Sequence, residues 1–105
     1  MTKSFSLMAG AALALAAFSV QAEEIELGES IYSQSCAQCH GRAGGGSGAF
    51  PSLTGQEEEY IATRLTQYRE GETVGSNTAL MRGPASSLTD EDITALSIYI
   101  STTFQ

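Results

Sequence analysis

Cys36-Ala37-Gln38-Cys39-His40 holds both cysteines and the one histidine of this 105-residue chain. C-x-x-C-H is the attachment pattern of c-type haem. Two thiols add across the vinyl groups to make thioethers, and the neighbouring imidazole reaches the iron from one face. Rival chemistries fail on ligand number or on context. A structural zinc site needs four nitrogen or sulfur ligands, and only three exist. A thioredoxin-like dithiol needs a β-α-β setting that the flanking residues do not supply. A plain disulfide between Cys36 and Cys39 stays open, but it leaves His40 and the glycine-rich sequel unexplained.

With His40 on one face of the iron, the second axial position is reached by elimination. No second histidine exists, the sole lysine is Lys3, and both cysteines are committed to the ring. Beyond residue 22 the chain has one methionine, Met81, in the stretch Thr78-Ala79-Leu80-Met81-Arg82-Gly83-Pro84. These residues lack helical periodicity and read as a loop. The 41 residues from His40 to Met81 are long enough to pass around a haem and return on its far side. A lone methionine is ordinarily a gap-filler in a core, and a vacant or water-held iron site is the rival reading. A haem already placed by the motif favours ligation. Imidazole and thioether together leave no open coordination position and favour the ferrous state. That chemistry is one-electron transfer, not catalysis.

Export suits this reading, because c-type haem is attached outside the cytoplasm. Residues 1–22 have the layout of a secretory signal peptide: Lys3 as the only charge, an apolar run over Met8–Val20, and Val20-Gln21-Ala22 before the expected cut. The run is too short to span a bilayer comfortably, so no stable membrane anchor is expected. Cleavage after Ala22 leaves Glu23–Gln105 as one domain in the periplasm. A domain of that size buries little apolar surface by itself, so haem is expected to complete its core. Twelve Asp and Glu against four remaining Arg make the mature segment strongly acidic, which excludes nucleic acid as a partner. The acids gather at Glu23–Glu29, Glu57–Glu59 and Asp90–Asp92, where helix starts are expected and the macrodipole favours negative charge.

The pattern is all-α, with three main helices and glycine-rich loops. The first helix is expected from about Ile25 to Cys39, with Gly28 inside it as a place of close backbone approach. Gly41–Gly55 reads as a packed loop, because Phe50, Pro51 and Leu53 lie among its glycines. Thr54-Gly55-Gln56-Glu57 has the form of a capping box, so the second helix is expected to start at Thr54. It carries Ile61, Leu65 and Tyr68 on one face and ends at Gly71. Residues 72–88 read as a second loop with turn signals at Gly75, Asn77 and Gly83-Pro84. The third helix is capped by Thr89 with Asp92 and presents Ile93, Leu96 and Ile100.

Taken together, three blocks resemble the class I monohaem cytochromes c of the small bacterial type, near cytochromes c4, c5 and c553. They are Cys36-Ala37-Gln38-Cys39-His40-Gly41; Phe50-Pro51-Ser52-Leu53-Thr54-Gly55-Gln56 with Tyr60; and Met81 leading into Leu88-Thr89-Asp90-Glu91-Asp92-Ile93. The resemblance implies a small cytochrome c fold, with the first and last helices crossing at Gly28, Tyr32, Leu96 and Tyr99. It implies that the Pro51 carbonyl accepts the proton on the other nitrogen of the ligand imidazole. It also implies redox proteins as partners, though the mature chain lacks the lysine ring of mitochondrial types. No tryptophan is present to bond a haem propionate, which leaves Tyr60, Arg64 or Arg82 for that task.

Three functions follow from these residues. The leading one is a periplasmic one-electron carrier between a membrane quinol-oxidising complex and a terminal oxidase or reductase. The second is the haem c subunit of a larger oxidoreductase complex, which uses the same motifs. The third, a gas-sensing or peroxidatic protein, needs Met81 off the metal and a distal acid–base group that no second histidine can supply.

Overall fold

The computed structural model describes the backbone of residues 2–105 and the side chains of residues 15–105. Much of the leader reading, including Lys3 and the start of the apolar run, therefore lies outside the described side chains. Five helices follow in order: α1 (Thr2–Ser35), α2 (Ala37–His40), α3 (Glu58–Arg69), α4 (Thr78–Ser86) and α5 (Asp90–Thr103). Among the described residues no strand forms; one antiparallel bridge joins Ser47 to Phe50. No described helix is long and apolar enough to cross a membrane.

The first helix departs from expectation at both ends. It begins at Thr2 and stops at Ser35, because Cys36 breaks the turn with φ −118° and ψ −39°. Glu23, Glu24, Glu26 and Glu29 therefore sit inside α1 rather than in its first turn. The helix-start account holds for Glu58 and Glu59 in α3 and for Asp90, Glu91 and Asp92 in α5.

Packing of α1 on α5 builds one half of the core. A Cβ on Gly28 would collide with the Ala95 carbonyl oxygen and lie 2.6 Å from the Tyr99 Cβ. Only a hydrogen at this position lets the two helices touch through their backbones. Next to the contact, Tyr32, Tyr99 and Phe104 form an aromatic trio with ring centroids 5.0–5.7 Å apart. These tilted and edge-on geometries suit aromatic quadrupoles. Ile61 and Leu65 of α3 join Ile93, Leu96 and Ile100 of α5 in the other half.

The capping box proposed at Thr54 does not form. Glu57 is the N-cap of α3 and makes no side-chain cap bond. Gly55 instead turns at φ 74° and donates its N–H to the Phe104 carbonyl at 2.8 Å. Residues 54–57 are thus drawn to the C-terminus, which a local pattern does not register. The far end of α3 matches the sequence reading. Gly71 at φ 81° follows the last turn, with Gly71 N–H bonded to Tyr68 O and Glu72 N–H to Gln67 O. This pair of bonds is a Schellman closure.

The stretch read as a loop contains a helix. Residues 78–86 form α4, with Met81 and Arg82 inside it, as well as the Gly83-Pro84 pair taken as a turn signal. Packing against α3 outweighs the helix-breaking preference of Gly and Pro. The start of α5 behaves as expected: Asp92 N–H donates to Thr89 Oγ1 and Thr89 N–H to Asp92 Oδ2, each at 3.0 Å.

Candidate functional site

The break at Cys36 shapes the motif. Cys36 N–H still closes α1 on Tyr32 O at 2.9 Å, while Cys36 O accepts from Cys39 N–H at 3.2 Å and His40 N–H at 3.0 Å. Residues three and four apart on one helical turn are neighbours, so both sulfurs and the imidazole front a single space. All three residues line one cavity of about 330 Å³. His40 is buried, Cys36 partly so and Cys39 exposed, and both cysteines are free thiols. Burial, with a smaller contribution from the Cys39 charge, pushes the Cys36 thiol up to about 11. The thioredoxin-like reading needs a β-α-β setting, and among the described residues the motif sits between helices with no strand. The cysteines stand unpaired, which leaves the plain disulfide reading unsupported.

The imidazole is oriented from behind. His40 Nδ1 lies 2.9 Å from the Pro51 carbonyl oxygen. A carbonyl can only accept, so Nδ1 carries the hydrogen and Nε2 keeps its lone pair. The role that resemblance gave Pro51 is present in the geometry. Holding that carbonyl requires a tight loop. Gly46 donates to His40 O at 2.8 Å, and Ser47 and Phe50 exchange two 2.9 Å backbone bonds. Gly46 sits at φ 65°, and a Cβ there would strike Phe50 O and stand 2.6 Å from the Pro51 carbonyl carbon. Glycine is required twice over, for conformation and for space.

Across the cavity, α3 contributes Tyr60, Ile61, Arg64, Leu65 and Tyr68 from one face, and α4 contributes Met81 with Leu80 and Pro84. Met81 is partly buried against the apolar core. Its helix is anchored by Thr78, a buried residue. Thr78 Oγ1 accepts from Val74 N–H at 3.0 Å and Gly75 N–H at 2.9 Å, and donates to Gly75 O at 2.8 Å. Sequence reasoning passed over Thr78, as it did Phe104. Phe104 continues the Ile93, Leu96 and Ile100 face by one more helical turn, a signal that could have found it, whereas Thr78 lies on no such face and acts through its backbone partners. Of the three residues suggested for a propionate, Tyr60 and Arg64 border the cavity. Arg82 does not; it donates to Gly71 O at 3.3 Å and Thr73 Oγ1 at 3.0 Å.

The donor set fits a haem. Two free thiols, an imidazole with its second nitrogen already bonded, and a thioether sulfur share one mostly apolar cavity. No Asp or Glu is among the residues that line it.

Comparison with known proteins agrees with this site. The family model described as Cytochrome c matches residues 25–104. The chain is 37% identical to cytochrome c-554(547) of Halothiobacillus neapolitanus over 83 residues, covering 71% of this chain and 91% of the relative. It is 36% identical over 67 residues to the thiosulfate dehydrogenase electron acceptor of Stutzerimonas stutzeri, covering 63% of this chain and 31% of that protein. In structure it is similar to reduced cytochrome c4 from Pseudomonas stutzeri, with a TM-score of 0.69 at 36% identity. The match covers 79% of this chain and 49% of that one, so this chain corresponds to about half of the cytochrome c4 chain. The motif, the all-α fold and these matches lead to one conclusion: the chain belongs to the cytochrome c family, proteins that carry electrons on covalently bound haem.

Proposed function

We propose that this protein is a periplasmic one-electron carrier, with haem c joined to Cys36 and Cys39 and its iron ligated by His40 and Met81. The observation that carries the reading is the convergence of these four side chains on one cavity, with His40 held by Pro51. Bound there, haem supplies a single electron per cycle between ferric and ferrous iron. The protein's part is to hold and insulate the group. Pro51 keeps His40 in the tautomer that donates from Nε2 and makes it a stronger donor. Met81 would hold the remaining position on the iron, which would deny substrate and dioxygen access to it. Ile61, Leu65, Leu96 and Ile100 keep the surroundings apolar, which disfavours the more charged ferric centre and raises the potential.

Removal of residues 1–22 after export leaves residues 23–105 as the working domain. Its partners are redox proteins. The relative named as an electron acceptor of thiosulfate dehydrogenase also favours a second reading, in which the chain serves one particular oxidoreductase as its haem-bearing partner. Size-exclusion of native periplasm separates the two, since co-elution with a large partner selects the second.

The test of the main reading combines mass and spectrum. The secreted protein should weigh one haem more than residues 23–105, and its oxidised form should show the far-red sulfur-to-iron band. Carbon monoxide should bind slowly or not at all to the reduced protein. A secreted chain at bare weight removes the carrier reading, and rapid carbon monoxide binding removes Met81 from the metal.

A further inference from the structure

α4 is a helix that its own sequence supports poorly. Its nine residues are too few to be stable alone, and Asn77 at its N-cap makes no side-chain cap bond. Pro84 has no N–H for the Leu80 carbonyl one turn back, and Gly83 beside it has low helix propensity. Burial within α4 is confined to its ends, at Thr78 and Ala85. Between them Leu80 is 56% exposed, Arg82, Gly83 and Pro84 are exposed, and Met81 is only partly buried. Apolar contact by itself gives the turn that carries Met81 little support.

Polar bonds supply the rest. Thr78 fixes the start of the helix through Val74 and Gly75. Past the far end, Leu88 O accepts from a terminal nitrogen of Arg69 at 3.3 Å. In the middle the tie is Arg82, which donates to Gly71 O at 3.3 Å and to Thr73 Oγ1 at 3.0 Å. Gly71 O lies just past the last turn of α3, at the negative end of its macrodipole, where a cation is favoured. Successive helix residues point about 100° apart, and Met81 lines the cavity while Arg82 does not. The arginine thus holds one side of the turn to the end of α3, and the thioether faces the haem space from another.

We propose that Arg82, through Gly71 and Thr73, is the positioning residue that keeps Met81 on the haem iron. This rests on the reading of Met81 as the axial ligand. The tie limits how far the middle turn can move, so a thioether that leaves the metal stays within reach and rebinds. Without the tie the detached state is more populated, and an external ligand finds the coordination position open more often. Arg82 does not line the cavity, so its effect is exerted through the placement of Met81.

Carbon monoxide binding to the reduced holoprotein, with the far-red sulfur-to-iron band of the oxidised form, tests the assignment. Arg82→Gln should raise the binding rate roughly tenfold, the population change expected on losing a charge-assisted hydrogen bond, and should weaken the band. Thr73→Val should move both in the same direction by less, whereas Thr73→Ser keeps the acceptor and should match the parent. Arg82→Gln with Thr73→Val should go no further than Arg82→Gln alone, because both act through one contact. Arg42→Gln removes an arginine charge away from α4 and should leave rate and band unchanged. A parent-like rate and band in Arg82→Gln, an equal change in Arg42→Gln, or effects of Arg82→Gln and Thr73→Val that simply add, overturn the proposal. So does a lower melting temperature of Arg82→Gln with rate and band unmoved, which would make the tie structural only. Should Arg82→Gln not accumulate, Thr73→Val against Thr73→Ser decides. A parent protein with attached haem but no far-red band would instead refute the Met81 reading beneath it.

Discussion

His40 Nδ1 meets the Pro51 carbonyl at 2.9 Å, and Gly46 packs so close to that carbonyl that a Cβ there would lie 2.7 Å from its oxygen. Gly46→Ala should therefore act on the imidazole from outside the cavity. A non-glycine residue at φ 65° costs roughly 1–2 kcal/mol, and the new Cβ must also push the Phe50–Pro51 peptide away. Thermal unfolding should occur at lower temperature. Loss of the acceptor makes His40 a weaker donor to ferric iron, so the midpoint potential should rise. A lower melting temperature with an unchanged potential would show that the Pro51 bond does not tune the ligand.

Gly28→Ala sets two effects of opposite sign against each other. Helix propensity alone would gain about 1 kcal/mol. Overpacking against the Ala95 carbonyl and Tyr99 costs about 1–3 kcal/mol, more if the α1–α5 contact must separate. Net destabilisation is expected, read as a lower denaturant midpoint of the holoprotein. A raised midpoint would mean that the helices can separate without loss.

Tyr32 links the core to the motif, since its hydroxyl donates to Gly41 O at 2.6 Å. Burial, then the nearby Cys36 and Tyr99, pushes the phenol up to about 12 from 10.0. The folded state therefore retains a proton that the unfolded chain releases first. Stability from this source is complete below pH 10 and declines as pH rises from 10 to about 12. Cys36 contributes to this shift as a free thiol, so haem attachment should moderate it. Tyr32→Phe keeps the ring, loses about 1 kcal/mol of hydrogen bonding at neutral pH, and should flatten the alkaline decline. Stability measured against pH for both proteins checks it.

Met81→Ala should abolish the sulfur-to-iron band of the oxidised protein and open the reduced protein to rapid carbon monoxide binding. The rest of α4 should persist, because Thr78 fixes its start through Val74 and Gly75. Retention of the band would require another sulfur ligand, and none is available beyond residue 22 except the two cysteines.

Replacing both attachment thiols, Cys36→Ser with Cys39→Ser, tests the cofactor as part of the core. Leu65, Leu96 and Ile100 are buried core residues that also line the cavity. Without a ring to cover them, the small domain loses much of its apolar contact. Circular dichroism should show a largely unfolded chain. A cooperative melt equal to that of the holoprotein would show that the polypeptide folds without the group.

Some of this protein is written in adjacent residues. Cys36, Cys39 and His40 are legible because the haem attachment and ligation proposed for them need all three within one helical turn. Met81 is proposed as a ligand from composition, as the sole methionine beyond residue 22. Thr89 with Asp92, and Gly71 after α3, are readable because a cap and a helix stop each involve only a few neighbouring backbone groups. Other features depend on residues far apart in the chain. Thr54 lost its capping role because Gly55 bonds Phe104, and the Gly83-Pro84 turn signal yielded to packing of α4 on α3. The choice of Arg64 over Arg82 at the cavity likewise came from where α3 and α4 lie. Short-range bonds carry their own pattern in sequence, whereas a contact across fifty residues exists only once the chain has closed on itself.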